Sequence, residues 1–167
     1  MDSNLSLSLG FKGQLSLDGQ AVPMQEGYLK LGGIVDATNQ SGGLPFGVVV
    51  SAPADDPTAI VAGAGSGNVI RGISAFNDAI AQNSPAHPNK YLAGMPCDFI
   101  AKGCVKVQSW KTTETNQIEP VIGAKVEFAD ANGAIGFVAS SADSDYTLLA
   151  GASVVEVTDD GAWIWLG

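Results

Sequence analysis

The chain has 167 residues, a formal net charge of −9 and a sequence pI near 4.2, with 46% hydrophobic and only 15% charged residues. That balance excludes intrinsic disorder, and the length fits one compact domain with a real core. Lys12, Lys30, Arg71, Lys90, Lys102, Lys106, Lys111 and Lys125 are scattered singly; nucleic-acid binding needs clustered cations to displace counterions from phosphate, so DNA and RNA are excluded as direct ligands.

The opening MDSNLSLSLG has no cationic n-region, and no apolar run approaches the roughly 18–20 residues that span a bilayer. The expectation is a soluble chain without a membrane partner or cleaved signal peptide; in a bacterial host it would be made in the cytoplasm. Leu5, Leu7 and Leu9 alternate with Asn4, Ser6 and Ser8, the period of a half-buried strand. Residues 1–10 are therefore read as an extended strand or arm and residues 11–167 as a single β domain. The arm pairs either with a second alternation at Phe11, Gly13, Leu15 and Leu17 or with a neighbouring subunit's sheet.

Short apolar runs punctuated by glycine, proline and asparagine follow. Strands are predicted at Phe46 to Val50, Thr58 to Val61, Val69 to Ile73, Asp98 to Ile100, Cys104 to Val107, Ala124 to Phe128, Ala134 to Val138, Ser153 to Val157 and Ala162 to Leu166. Asn132-Gly133 and Asp160-Gly161 supply the positive φ of tight hairpins and predict antiparallel neighbours. With 21 glycines, no window sustains a helical apolar period; short helical turns are predicted only at Ala75 to Gln82 and near Asp143 to Leu149. The predicted fold is all-β, a small antiparallel β-barrel or β-sandwich with one or two short helical turns.

The two cysteines flank CDFIAKGC, read as a hairpin turning at Ala101, Lys102 and Gly103. Cys104 would then face Ile100 rather than Cys97, which predicts two free thiols.

Nothing in the sequence assembles a reaction centre. The single histidine, His87, sits in the loop SPAHPNK without an orienting partner. GAGSG (Gly63 to Gly67) leads into an apolar run that reads as strand, whereas a phosphate-cradling loop must open a helix. Asp55-Asp56, Asp143 with Asp145, and Asp159-Asp160 read as hydrated turn residues, and DANG lacks the later ligands of a calcium loop. Trp163 and Trp165 share one face of the last strand, with Ile164 on the other; sheet packing is the plainer reading, a glycan or protein platform the functional one. No catalytic residue, metal or cofactor is expected.

Three blocks resemble the phage structural cement or head-decoration proteins: GGLPFGVVV (Gly42 to Val50), VIRGISAFNDAI (Val69 to Ile80) and YLAGMPCDFIAKGCVKV (Tyr91 to Val107). GAKVEFADANGAIGF and VVEVTDDGAWIWLG resemble the family's second hairpin and closing strand. Cys97, where a β-branched residue is expected, and the polar segment Gln108 to Pro120, a lengthened loop, depart from the pattern. The resemblance implies a structural virion protein, not an enzyme, on the outer surface of an icosahedral head. It would bridge major capsid protein subunits of the expanded shell as a homo-oligomer, a dimer or trimer. Leu5, Leu7 and Leu9 are the candidate capsid or subunit contacts. The alternative is a β-rich phage tail, fibre or adhesin-type glycan-binding module using Trp163 and Trp165.

Overall fold

The computed structural model describes residues 20–21, 28–77, 86 and 89–167. The strands of the first half are β1 (Gln20–Ala21), β2 (Leu29–Val35), β3 (Leu44–Pro45), β4 (Val49–Pro53), β5 (Ala59–Ala62) and β6 (Asn68–Ser74). Those of the second are β7 (Lys90–Tyr91), β8 (Pro96–Val107), β9 (Lys125–Ala129), β10 (Ile135–Val138), β11 (Tyr146–Thr158) and β12 (Gly161–Leu166). Among the described residues there is no helix.

Five strands close a barrel: β8 pairs with β2, β2 with β5, β5 with β4, β4 with β6, and β6 returns to β8. The β2–β5 pair is parallel and the other four are antiparallel, so the predicted all-antiparallel barrel has one exception. A wing extends from the same sheet in the order β10-β9-β11-β12-β8. The 12-residue β8 belongs to both: its first half lies against β2, and its second half, from Gly103 to Val107, lies against β12.

This single long strand corrects the predicted hairpin. Gly103 does take a positive φ, 109°, but it serves an irregularity inside a continuous strand, where β8 passes from barrel to wing. The neighbouring Ile100, Cys104 and Val105 are buried, so pairing on both margins overrides the turn signal. Cys97 and Cys104 are thus seven residues apart along one strand, roughly 23 Å at strand rise, far beyond disulfide reach. Both are buried free thiols.

The predicted helical turns are also corrected. Ala75, Phe76 and Asn77 are irregular backbone, and the rest of that segment up to Gln82 lies outside the described residues. At Asp143 to Leu149 a turn, closed by Tyr146 N–H donating to the Asp143 carbonyl at 3.3 Å, leads directly into β11. Asp145 holds φ 64° in it, and Thr147 then pairs with Phe128 of β9.

Two cores result. Inside the barrel, Val35, Val50, Ile60, Cys97 and Phe99 pack with Leu44, Phe46 and Tyr91. Phe46 meets Tyr91 edge-on at 5.0 Å, and the Tyr91 hydroxyl donates to the Ala75 carbonyl at 2.7 Å. Ser74, fully buried, donates to the Pro45 carbonyl at 2.6 Å and accepts from Val48 N–H at 3.0 Å, so the Pro-Phe-Gly turn is tied to β6. The wing core gathers Val105, Val107, Val126, Phe128, Phe137, Val154 and Ile164.

Burial inside the barrel pushes the Cys97 thiol from 9.0 up to about 12, helped by the Asp98 carboxylate, and lifts the Tyr91 phenol above its ordinary value chiefly by desolvation. Both folded-state values are raised, so the stability they carry is whole below pH 9 and is lost as the pH climbs toward 12. Cys97 alone is expected to cost about 2 kcal/mol by about pH 10.5. Melting curves of the chain and of Cys97→Ala across that range check this: the variant should lose stability less steeply, and parallel curves would refute the assignment.

Candidate interaction surfaces

The predicted site residues Leu5, Leu7 and Leu9 lie outside the described residues, as does His87. GAGSG takes positive φ at Gly63, Gly65 and Gly67 (83°, 60° and 74°) and runs into β6, so it opens a strand, as its sequence indicated. The turn carboxylates are engaged locally or across segments: Asp56 accepts from the Thr58 hydroxyl at 2.7 Å within its turn, while Asp143 accepts from Asn116 N–H at 3.0 Å and Asp130 from the Thr147 hydroxyl at 2.7 Å, each tying two segments together. Among the described residues no three His, Cys, Asp or Glu side chains converge as a metal-holding group.

A recess of about 440 Å³ is lined by Asp36, Gln40, Asn68 and Asp130, among others. Its polar groups serve the fold. Gln40 bridges Ala62 N–H and the Gly43 carbonyl, and Asn68 donates to Ser51. Asp36 accepts from Thr38 and Asn39 N–H at 2.8 and 2.9 Å; these bonds, with a third from the Asn39 amide, hold its carboxyl below the usual range.

On β12, Ile164 enters the wing core while Trp163 and Trp165 take the opposite face, as the alternation required. Trp163 is only 3% exposed, however, and its ring lies 5.6 Å from the Lys106 ammonium. Lys106, itself buried, donates to Asp160 at 2.7 Å. The predicted aromatic platform is therefore one covered ring held over a buried cation and one half-buried ring. This is sheet packing.

Exposed apolar side chains that sequence reasoning missed lie on the wing, among them Val121, Ile122 and Val155, and on the barrel. Ile34, Met95 and Leu92 are 50%, 47% and 37% exposed. Backbone pairing ties these segments at the start of β8: Ile34 pairs with Pro96, Val35 N–H donates to the Met95 carbonyl at 2.9 Å, and Gly94 N–H donates to the Val35 carbonyl at 2.8 Å. Leu92 to Met95 form a turn in which Gly94 supplies φ 75°. On the other side, Ile34 N–H donates to the Thr58 carbonyl at 2.8 Å, placing the loop that carries the exposed Asp55 and Asp56 beside it. The ion pairs among the described residues are Lys30–Asp98 and Lys106–Asp160, so Asp36, Asp55 and Asp56 have no cationic partner there. One signal was present in the sequence. The outward row of β2 is Lys30, Gly32, Ile34, and an isoleucine is out of place on it.

These features define an all-β scaffold built on a closed barrel, with exposed apolar side chains on both barrel and wing. The chain belongs to the phage structural cement family: the family model described as "Structural cement protein (E217 gp24/Pam3 gp6)" matches residues 2–166. It is thus a phage structural protein. A solved structure titled "The capsid of Myoviridae Phage XM1" contains a chain of similar fold, with a TM-score of 0.65 at 14% identity over 92% of each chain. No curated protein sequence matches.

Proposed function

We propose that the chain binds the outer surface of an icosahedral phage head and bridges major capsid protein subunits, stabilising the expanded shell. The observation that carries this reading is the family match along residues 2–166. The architecture supports it physically. A closed barrel and a wing sharing one strand, β8, have little conformational entropy to lose on docking. As a dimer or trimer, the protein would add individually weak contacts through multivalency. Residues 1–10 act as an arm attached to a single β domain, residues 11–167. Leu5, Leu7 and Leu9 of that arm add a strand to a neighbouring sheet, where main-chain hydrogen bonds supply affinity and the alternate leucines supply burial.

The test is co-sedimentation of the full chain, and of a chain lacking residues 1–10, with expanded undecorated heads. The full chain should saturate the heads, and the truncated chain should bind about tenfold more weakly or worse. Equal occupancy by both chains would remove the arm from the mechanism; absence of binding by the full chain would overturn the reading itself.

A further inference from the structure

We propose that the recess where the barrel meets the wing seats an aspartate or glutamate side chain of the capsid partner, with Arg71 as the group that pairs with it. The assignment rests on the capsid-binding reading above and names the chemistry of one contact within it.

The recess holds about 290 Å³, and its walls come from both halves of the molecule: Ile70 and Arg71 of β6, Leu148, Leu149 and Ala150 of β11, and Leu166 of β12. Two strand irregularities shape it. In β6, Gly72 pairs with Val50 and Ile70 with Ser51, so Arg71 is the extra residue of a bulge. In β11, Leu148 pairs with Glu127 and the next pair along β9 is Ser153 with Lys125, so the residues between them leave that ladder. Bulges re-aim side chains and interrupt pairing, and here two of them border one recess. Its apolar walls are firm: Leu149 and Leu166 belong to the wing core, and Ile70 packs against it.

Arg71 is the charged side chain lining this recess. Its Nε is buried without an acceptor, while the two Nη nitrogens reach solvent. The guanidinium carbon lies 5.8 Å from the centre of the Phe99 ring, and the ion pairs among the described residues, Lys30–Asp98 and Lys106–Asp160, leave Arg71 out. Glu127, paired opposite Leu148, is held by Gln117 and the Asp143 N–H. Gly167 also lines the recess; its N–H donates to the Gly151 carbonyl at 3.3 Å, and it forms no ion pair with Arg71. Lys102, which follows the lining Ala101 on β8, is exposed and of the same sign as Arg71.

A cation with open donors among apolar walls selects an anion, and the guanidinium fork matches a carboxylate through two parallel hydrogen bonds. Exclusion of water strengthens such a pair, and arginines so placed are among the residues that dominate binding energy. For this contact a second copy is the poorer source of the carboxylate, since two chains of net charge −9 repel.

The experiment measures binding of the full chain to expanded undecorated heads for wild type, Arg71→Met, Arg71→Lys, Ala150→Glu and Lys111→Met. Methionine keeps an unbranched stem and removes the guanidinium. Because Nε has no acceptor in the free protein, the melting temperature of Arg71→Met should lie no more than about 3 °C below wild type, or above it. Its binding should weaken about tenfold or more and become less sensitive to salt. Arg71→Lys should restore part of the binding, as a point charge without the fork. Ala150 is an exposed residue of the recess wall, and a glutamate there should weaken binding by repulsion. Lys111, exposed and bonded to Ile135 of β10 at the far edge of the wing, should be replaceable without loss. Wild-type binding with Arg71→Met unchanged would overturn this inference alone, as would tighter binding by Ala150→Glu or an Arg71→Lys variant no better than Arg71→Met. A larger fall in the melting temperature of Arg71→Met would do the same, because Arg71 would then serve the fold. So would an oligomer that Arg71→Met splits, the carboxylate then belonging to a second copy. Failure of the wild type to bind heads would overturn the capsid-binding reading and this inference with it.

Discussion

Gly133→Ala should leave the chain poorly folded, with a melting temperature lower by about 10 °C or more. Gly133 closes the β9–β10 hairpin at φ 71°, where any other L-residue pays roughly 1–2 kcal/mol. The larger cost is the contact. A Cβ at this position would lie 2.2 Å from the Val49 carbonyl oxygen, which is backbone of β4 and has no flexible end to swing away. That carbonyl accepts from Gly63 N–H at 2.9 Å, and Val49 N–H donates to the Gly133 carbonyl at 2.9 Å. Retreat of the hairpin therefore breaks the Val49–Gly133 hydrogen bond that pins the wing to the barrel and parts Val49 from the wing core it joins. The sum is about 4 kcal/mol or more, a large share of a typical domain's stability. Gly67→Ala separates the two causes: Gly67 has φ 74° but nothing within 4 Å of its Cβ position, so only the conformational cost should appear. Thermal melts followed by circular dichroism decide the matter. Similar small losses in both variants would contradict the proposed role of the Gly133–Val49 contact.

Glu127→Ala carries the second largest effect, about 3 kcal/mol. Glu127 is fully buried on the face of β9 opposite Val126 and Phe128. One carboxylate oxygen accepts from the Gln117 amide at 2.8 Å and the other from Asp143 N–H at 2.9 Å. Gly136, directly across the β10 pairing, makes room: a Cβ there would come within 2.8 Å of the Gln117 amide nitrogen. Asp143 in turn accepts from Asn116 N–H through both oxygens. The side chain thus holds the β8–β9 connection and the β10–β11 connection against the wing. Alanine would strand two donors and leave a void. The expected readout is local: amide hydrogens near Gln117 and Asp143 should exchange faster by about 100-fold, while those of the β8 barrel segment keep their relative protection. Unchanged exchange in both connections would show that Glu127 does not anchor them.

Much of this architecture could be read from residue patterns. β-branched runs marked β5, β6, β9, β10 and β12, whereas the strand predicted at Phe46 to Val50 meets β4 only at Val49 and Val50, residues 46–48 being a turn; the Asn-Gly and Asp-Gly dipeptides marked the two hairpins of the wing. The turns themselves differ in detail. Asn132 and Asp160 do not take positive φ, which Gly133 and Gly161 supply alone, and the β11–β12 loop is Asp159-Asp160. β2 was missed because Gly32-Gly33 interrupts it. Gly33 is required there, since a Cβ would fall 2.4 Å from Ile60 of the adjacent strand. Gly103 shows the same ambiguity in reverse, a strand glycine with the signature of a turn.

The interaction surfaces were less legible because they depend on distant pairings. Lys106 and Glu127 look like solvent residues, and what buries them comes from Asp160, Gln117 and Asp143 through the fold. Trp163 has a platform's spacing but a covered ring. Ile34 becomes conspicuous only once the pairing of β2 turns it outward and Val35 inward.

The most direct measurement is an image of the assembled phage particle at a resolution that places this chain. The prediction is a copy of the barrel and wing on the outside of the expanded head, touching at least two major capsid protein subunits. Density for the chain only on the tail, or contact confined to a single subunit, would contradict the account.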